Sequence, residues 1–293
     1  MAGSEANPPK RLIRPLRGAG GHWVGDGFPV RTLFSYPEHG ALLSPFLLLD
    51  YGGPTEFEPT DERRGVGAHP HRGFETVTIV YDGEVEHRDS SGGGGRIGPG
   101  DVQWMTAAAG VVHEEFHGRA YAAKGGPFEM VQLWVNLPAA SKMDPPRYQA
   151  IERGRIPEVA LPGGRGAARV IAGELAGARG PARTCTPIDV WDLRLDAGGS
   201  VELPARDGHT TALVVLRGVV RVDGERLGDA EVGVFARDGR SFRAEVEAET
   251  TALLLGGAPI DEPIVGRGPF VMNTFDEIRQ AFDDFANGRL GGL

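Results

Sequence analysis

Cysteine is almost absent from this chain: Cys185 is the only one in 293 residues. A single thiol can build neither an internal disulfide framework nor a cysteine-based zinc site, and such economy fits a reducing compartment. Long apolar runs are missing as well. No stretch approaches the ~18–20 residues that a membrane-spanning helix requires, so none is expected. The opening MAGSEANPPKRLIRP has no apolar core of the kind a secretory leader needs, which makes the cytoplasm the expected location, or the nucleus in a eukaryote. Positive charge is in deficit, with 31 Lys and Arg against 40 Asp and Glu and a net charge of −9. A chain of that balance repels phosphate backbones unless it has a basic patch. Its one basic cluster, KRLIRPLR from Lys10 to Arg17, reads as a solvated strand edge, so direct nucleic-acid binding is not expected. Histidine is scarce at eight, which gives weight to any place where histidines gather.

What the chain does have is turns. Its 45 glycines and 22 prolines are spread between short runs rich in Val, Ile, Leu and Thr. Thr76 to Tyr81 ends at Asp82-Gly83, Ala212 to Leu216 at Arg217-Gly218, and Val219 to Val222 at Asp223-Gly224, a strong hairpin signal. The body is therefore read as all-β, in barrels or sandwiches. TVTIVYDGEVEHRD from Thr76 resembles TALVVLRGVVRVDG from Thr211 when Gly83 is laid on Gly218, an offset of 135. Small residues and prolines interrupt the β pattern at LPAASKMDPP. Two similar β-barrels in tandem are expected, over residues 1–138 and 139–293. The exception is a helix at about 275–286. Thr274 and Glu277 have capping-box spacing, and Ile278, Ala281, Phe282 and Phe285 recur at helical intervals.

Three of the eight histidines fall in two short motifs, Ala68-His69-Pro70-His71 and Val112-His113-Glu114-Glu115. Side chains alternate along a strand, so His69 and His71 project together, as do His113 and Glu115. If both segments line one interior, three imidazoles and a carboxylate converge, a donor set suited to a divalent transition metal. Pro70 cannot donate to a ladder, so the first motif is expected at a strand start or an edge. Spacing alone leaves the ligands open. Glu75 shares the parity of His69 and His71, and His117 that of His113. Ordinary hydrogen-bonded histidines remain the alternative to a metal site.

HPHRGFETVTIVYDG and PGDVQWMTAAAGVVHEE closely resemble the pirin family of the cupin superfamily. The resemblance extends to Pro45-Phe46-Leu47-Leu48-Leu49-Asp50, to Gln132-Leu133-Trp134-Val135-Asn136-Leu137 and to Gly268-Pro269-Phe270-Val271-Met272-Asn273-Thr274. It implies two cupin, jelly-roll-type barrels, with one mononuclear iron in the N-terminal barrel on His69, His71, His113 and Glu115. The family pattern thus selects Glu115, whereas ordinary cupins use a glutamate placed like Glu75, which becomes a group hydrogen-bonded to a ligand. The offset carries His69, His71 and Glu75 to Pro204, Arg206 and Thr210, and no histidine follows His209, so the second barrel is expected to hold no such metal. His209 reads as an ordinary surface or core histidine. The SSGGGG run from Ser90 to Gly95 reads as a solvated loop.

Ligand type does not separate Fe2+ from Mn, Ni, Co, Cu or Zn; the resemblance points to iron. It also implies a quercetinase-type dioxygenase acting on a flavonol and O2, with Glu115 as the base that takes the flavonol hydroxyl proton. Its other implication is a redox-sensing regulator whose Fe(II)/Fe(III) state controls docking to a partner protein.

Overall fold

The computed structural model describes residues 8–18 and 20–293, so the reading of the opening stretch lies, for residues 1–7, outside the described residues. The first half of the chain forms β1 (Leu12–Arg17), β2 (His22–Val24), β3 (Phe28–Ser35), α1 (Tyr36–Leu43), β4 (Phe46–Phe57), β5 (Gly65–His71) and β6 (Phe74–Asp82). It continues with β7 (Val85–Asp89), β8 (Gly94–Ile97), β9 (Val102–Thr106), β10 (Val111–His117), α2 (Arg119–Lys124), β11 (Gly126–Asn136) and β12 (Arg147–Ile151). The second half forms β13 (Glu158–Ala160), β14 (Gly166–Ala172), β15 (Glu174–Leu175), β16 (Ala178–Arg179), β17 (Ile188–Leu195), β18 (Gly199–Pro204) and β19 (Thr210–Val222). Then follow β20 (Glu225–Leu227), β21 (Glu231–Phe235), β22 (Ser241–Gly257), β23 (Val265–Arg267), β24 (Phe270–Met272) and α3 (Phe275–Ala286). The expected all-β body and C-terminal helix are present. The two short helices α1 and α2 were not anticipated, being too brief to show a helical period.

In the first barrel, a seven-stranded sheet ordered β12-β9-β6-β11-β4-β3-β2 faces a four-stranded sheet ordered β5-β10-β7-β8. In the second, the principal path runs β1-β21-β19-β22-β17-β14-β13. The two seven-strand paths correspond position by position, with β6 matching β19 and β11 matching β22. The repeat read from Gly83 and Gly218 is therefore a duplication of topology. Its local reading needs one correction. Gly83 (φ 84°) ends a strand, but Gly218 (φ 103°) sits within β19 as a bulge, where the register with β22 shifts. The Asp223-Gly224 hairpin forms as expected, both residues taking positive φ and Val222 pairing with Glu225.

The division at 138/139 does not match the contacts. One compact unit comprises the segment up to Gly18, Leu42–Ser44 and Ile156–Pro259; the other comprises the segment ending at Ala41, Pro45–Arg155 and Ile260–Leu293. Three strand-level facts explain this. After the interruption at Pro138, β12 returns to pair with β9, from Arg147 opposite Thr106 to Ile151 opposite Val102. The basic segment β1 pairs with β21 of the second barrel, as the edge strand expected of it. Lys10 departs from the solvated reading: it is buried, and its Nζ donates to the carbonyls of His209, Ala236 and Arg237. Finally, the C-terminal segment joins the first barrel, Val271 N–H donating to the Arg72 carbonyl at 3.0 Å.

Thr274 caps α3, its Oγ1 accepting from Glu277 N–H at 3.2 Å, while the Glu277 carboxylate accepts from Asn273 N–H at 3.0 Å. The buried face is narrower than the periodicity implied. Ile278 and Ala281 are buried, but Phe282 and Phe285 are exposed, Phe282 lying edge-on to Phe270. Thr274→Ala should lower stability by about 1 kcal/mol, seen as an earlier urea midpoint with an unchanged slope.

Candidate metal centre

Strand β5 lies at the edge of the four-stranded sheet, where Pro70 can be accommodated. It runs antiparallel to β10, pairing His71 with Val111 and His69 with His113. This register brings the two motifs together. The ring centroids of His69, His71 and His113 lie 4.2–4.9 Å apart, and their ligand-capable atoms fall within 4.8 Å of one another. A second group, His87, His113 and Glu115, meets the same limit and shares His113. The four residues expected as ligands are thus divided between two overlapping groups, and His87 is an addition.

Each imidazole of the triad uses Nδ1 in a local contact: His69 with the Gly67 carbonyl (2.8 Å), His71 with the Pro269 carbonyl (3.3 Å), and His113 with His87 Nδ1 (3.3 Å). A carbonyl can only accept, so Nδ1 of His69 and of His71 bears the proton and Nε2 keeps its lone pair. Burial, reinforced by the neighbouring His69, pushes the His71 pKa down to about 3. Burial likewise holds His113 well below its ordinary value, with His71 and His69 adding to the effect. Both are neutral near pH 7, the form that binds metal.

The other half of the site fixes protons and orientations. Tyr148 is kept protonated by burial, with Glu115 and Asp89 adding to the upward push, and its hydroxyl donates to Gln103 Oε1 at 3.2 Å. The Gln103 amide must then present its NH2 group inward, to Glu115 Oε1 at 2.8 Å and His87 Nδ1 at 3.2 Å. With Nδ1 accepting, His87 donates from Nε2 to Asp89 Oδ2 at 3.1 Å. Burial works to raise the Asp89 pKa, but hydrogen bonds from His87, Ser91 and the Gly93 amide outweigh it and hold the carboxyl at about 2. His87 Nδ1 also faces His113 Nδ1, so His113 Nδ1 carries the hydrogen and His113 Nε2 keeps its lone pair. The chain Asp89–His87–His113 thereby selects the metal-binding tautomer. His87 and Asp89 alternate in EVEHRD just as the two recognised motifs do, a signal the sequence reading passed over.

Two other candidates fall elsewhere. Parity carried from His71 predicts that Glu75 points inward, and the structure overturns this. The β5–β6 turn passes through Gly73 at φ 90°, so alternation does not continue across it. Thr78 pairs with Gln103, which reaches Glu115, so Thr76 and Thr78 face the site and Glu75 faces away. Its carboxylate accepts from Thr106 Oγ1 at 2.6 Å and lies 3.7 Å from Arg147. His117 is a core histidine: its Nε2 donates to the Gly27 carbonyl at 2.8 Å and its ring stacks on Phe128. The Ser90–Gly95 loop is tied down, the Ser91 and Gly93 amides donating to Asp89 Oδ1 and the Ser90 hydroxyl to the Leu290 carbonyl.

The site fits a metal on its own chemistry. His113 is fully buried, and its Nε2 has no hydrogen-bond partner among the described residues, an arrangement that costs free energy unless something coordinates the lone pair. Fold and site together define a tandem-barrel protein of the cupin type, with a histidine-rich metal centre in one barrel. Residues 27–135 match the Pirin family model and residues 190–291 the Pirin C-terminal cupin domain. The chain belongs to the pirin family. A crystal structure of quercetin 2,3-dioxygenase from Acinetobacter baumannii superposes with a TM-score of 0.95 at 55% identity, over 97% of this chain and 99% of that one. A Pseudomonas aeruginosa protein provisionally named a quercetin 2,3-dioxygenase is 56% identical over 96% of this chain and 98% of that one. Human pirin is 36% identical over 91% and 89% respectively.

Proposed function

We propose that the protein is a mononuclear non-haem iron dioxygenase that cleaves flavonols with O2, holding iron on His69, His71, His113 and Glu115. The observation that carries this reading is the unpartnered, buried Nε2 of His113 among neutral imidazoles with a carboxylate beside it. The likeness to the Acinetobacter enzyme supports the reaction class. When bound, iron supplies Lewis acidity that lowers the pKa of a flavonol hydroxyl, together with the redox capacity that O2 chemistry needs. The chain supplies the rest. Gln103 donates to Oε1 of Glu115 and so orients the carboxylate that would take the flavonol hydroxyl proton. Phe74 and Trp134, stacked on each other with centroids 5.1 and 5.3 Å from the His71 ring, pack against that imidazole and hold it in place.

Oxygen uptake by the iron-loaded protein with a panel of flavonols tests the reading, and no uptake with any of them would remove it. Glu115→Gln should retain part of the metal yet lose about a hundredfold in turnover, the scale of a misplaced general base. Undiminished turnover in that variant would take the proton-accepting role away from Glu115.

A further inference from the structure

The second barrel lacks those histidines but has a cavity of its own on the matching strands. Asp189 of β17 and Thr211 of β19 both pair with Gly256 on the strand between them, and Trp191 pairs with Leu254 two residues along. Alternation puts all of these on one face, and Trp191 and Leu254 share the barrel's inner core. In the first barrel the matching register pairs Thr76 with Trp134. Gly256 therefore stands where the other barrel has a tryptophan, and the missing side chain leaves space. The space is a cavity of about 170 Å3 lined by Asp189, Trp191, Arg206, Thr211, Leu254 and Gly256, among others.

Two buried polar groups of this lining have no partner among the described residues: Trp191 Nε1, on a residue 3% exposed, and Thr211 Oγ1, on a residue 1% exposed. An indole nitrogen can only donate, and among the described residues nothing accepts from this one. Asp189 does not provide one. Its oxygens are taken up by Arg206 Nε and Nη2, at 2.9 and 3.1 Å, and by Glu174 N–H at 3.2 Å, which also offset its charge. Arg206 occupies the position that the repeat assigns to His71, so a cation stands where the first barrel has a metal-ligating residue. An adjoining cavity of about 750 Å3 shares Arg206 and Glu174 and adds Arg179 and Arg183, so with Asp189 bound to Arg206 the two cavities together carry three cations against two carboxylates.

We propose that the second barrel binds a small organic carboxylate with a compact apolar body, about the size of benzoate. The carboxylate accepts from Trp191 Nε1 and Thr211 Oγ1 near Arg206, and the body lies against Leu254 over Gly256. A charge-assisted hydrogen bond of this kind is worth about tenfold or more in affinity.

The test is a titration of 15N-labelled protein with sodium benzoate, following the indole N–H resonance of Trp191, which Trp191→Phe assigns. The expected result is a saturable shift of that resonance, weakened about tenfold or more by Thr211→Val and by Arg206→Met. Thr211→Val conserves shape, so an otherwise unchanged spectrum establishes that it folds. No saturable shift would overturn the proposal. So would equal binding of neutral benzyl alcohol, persistence of the shift in both variants, or a response confined to first-barrel resonances, which would mean capture by the histidine centre.

Discussion

Replacing His113 with alanine is expected to leave the protein folded and nearly free of metal. His113 is the one residue common to both groups of candidate ligands, so its loss cuts each of them to two. It also removes the only nitrogen whose tautomer is set by the Asp89–His87 relay. Two imidazoles on an edge strand, one of them partly exposed, remain with Glu115. Metal content should fall from about one ion per chain to below about a tenth, since even outer hydrogen-bond partners of ligands are worth 10–100-fold in affinity. Folding should survive, because the strand pairing of β10 with β5 and β7 is made by the backbone. Mass spectrometry of tag-free protein, with circular dichroism alongside, reads both quantities. Iron unchanged in the variant would show that the imidazoles do not form the centre. Zinc in place of iron in the parent would keep the ligands and remove the redox chemistry. Asp89→Asn offers a graded companion: it weakens the acceptor that orients His87, and metal affinity should drop by about tenfold while all the ligands remain.

The architecture was legible because its signals are local. Period-two alternation, Gly-containing turns and the repeat between Thr76 and Thr211 each lie within short windows, and the structure reproduces them as two matching strand orders. What failed was long-range. The pairing of β1 with β21 and of β12 with β9 exchanges segments across the apparent boundary, and no window of sequence encodes which sheet an edge strand joins. At the site, parity worked within a strand and broke at a turn. His69 with His71 and His113 with Glu115 were read correctly as pairs on one face. Glu75 was misread because Gly73 reset the phase. His87 alternates with Asp89 in EVEHRD, but that pattern alone does not say which face it lines; its register with Glu115 on a neighbouring strand brings it to the centre. The choice of tautomer was beyond the sequence altogether, since it rests on a Tyr148–Gln103 contact spanning 45 residues.

Asp284→Ala should lower stability by about 3 kcal/mol. Arg72, the residue after His71, is buried, and its Nη1 donates to Asp284 Oδ2 at 2.8 Å while its Nε donates to the Ala109 carbonyl at 2.6 Å. Asp284, on α3, also accepts from Gln280 and Arg289. Removing the carboxylate strands a buried guanidinium, whose desolvation is no longer offset. The same contact anchors the C-terminal helix to the loop that follows the first two imidazoles, so metal affinity should weaken with it. Asp284→Asn keeps an acceptor but not the charge, and an intermediate loss is expected. The pH dependence gives an independent check. Hydrogen bonds from Arg72, then Arg289, hold Asp284 at about 2, below its value in an unfolded chain. The stabilisation is therefore complete above about pH 4 and is lost as pH falls from there toward 2. Urea unfolding of parent and Asp284→Asn should show a gap that is constant near neutrality and closes across that acid window. A gap that stayed open below it would mean that the loss comes from packing and not from the ion pair.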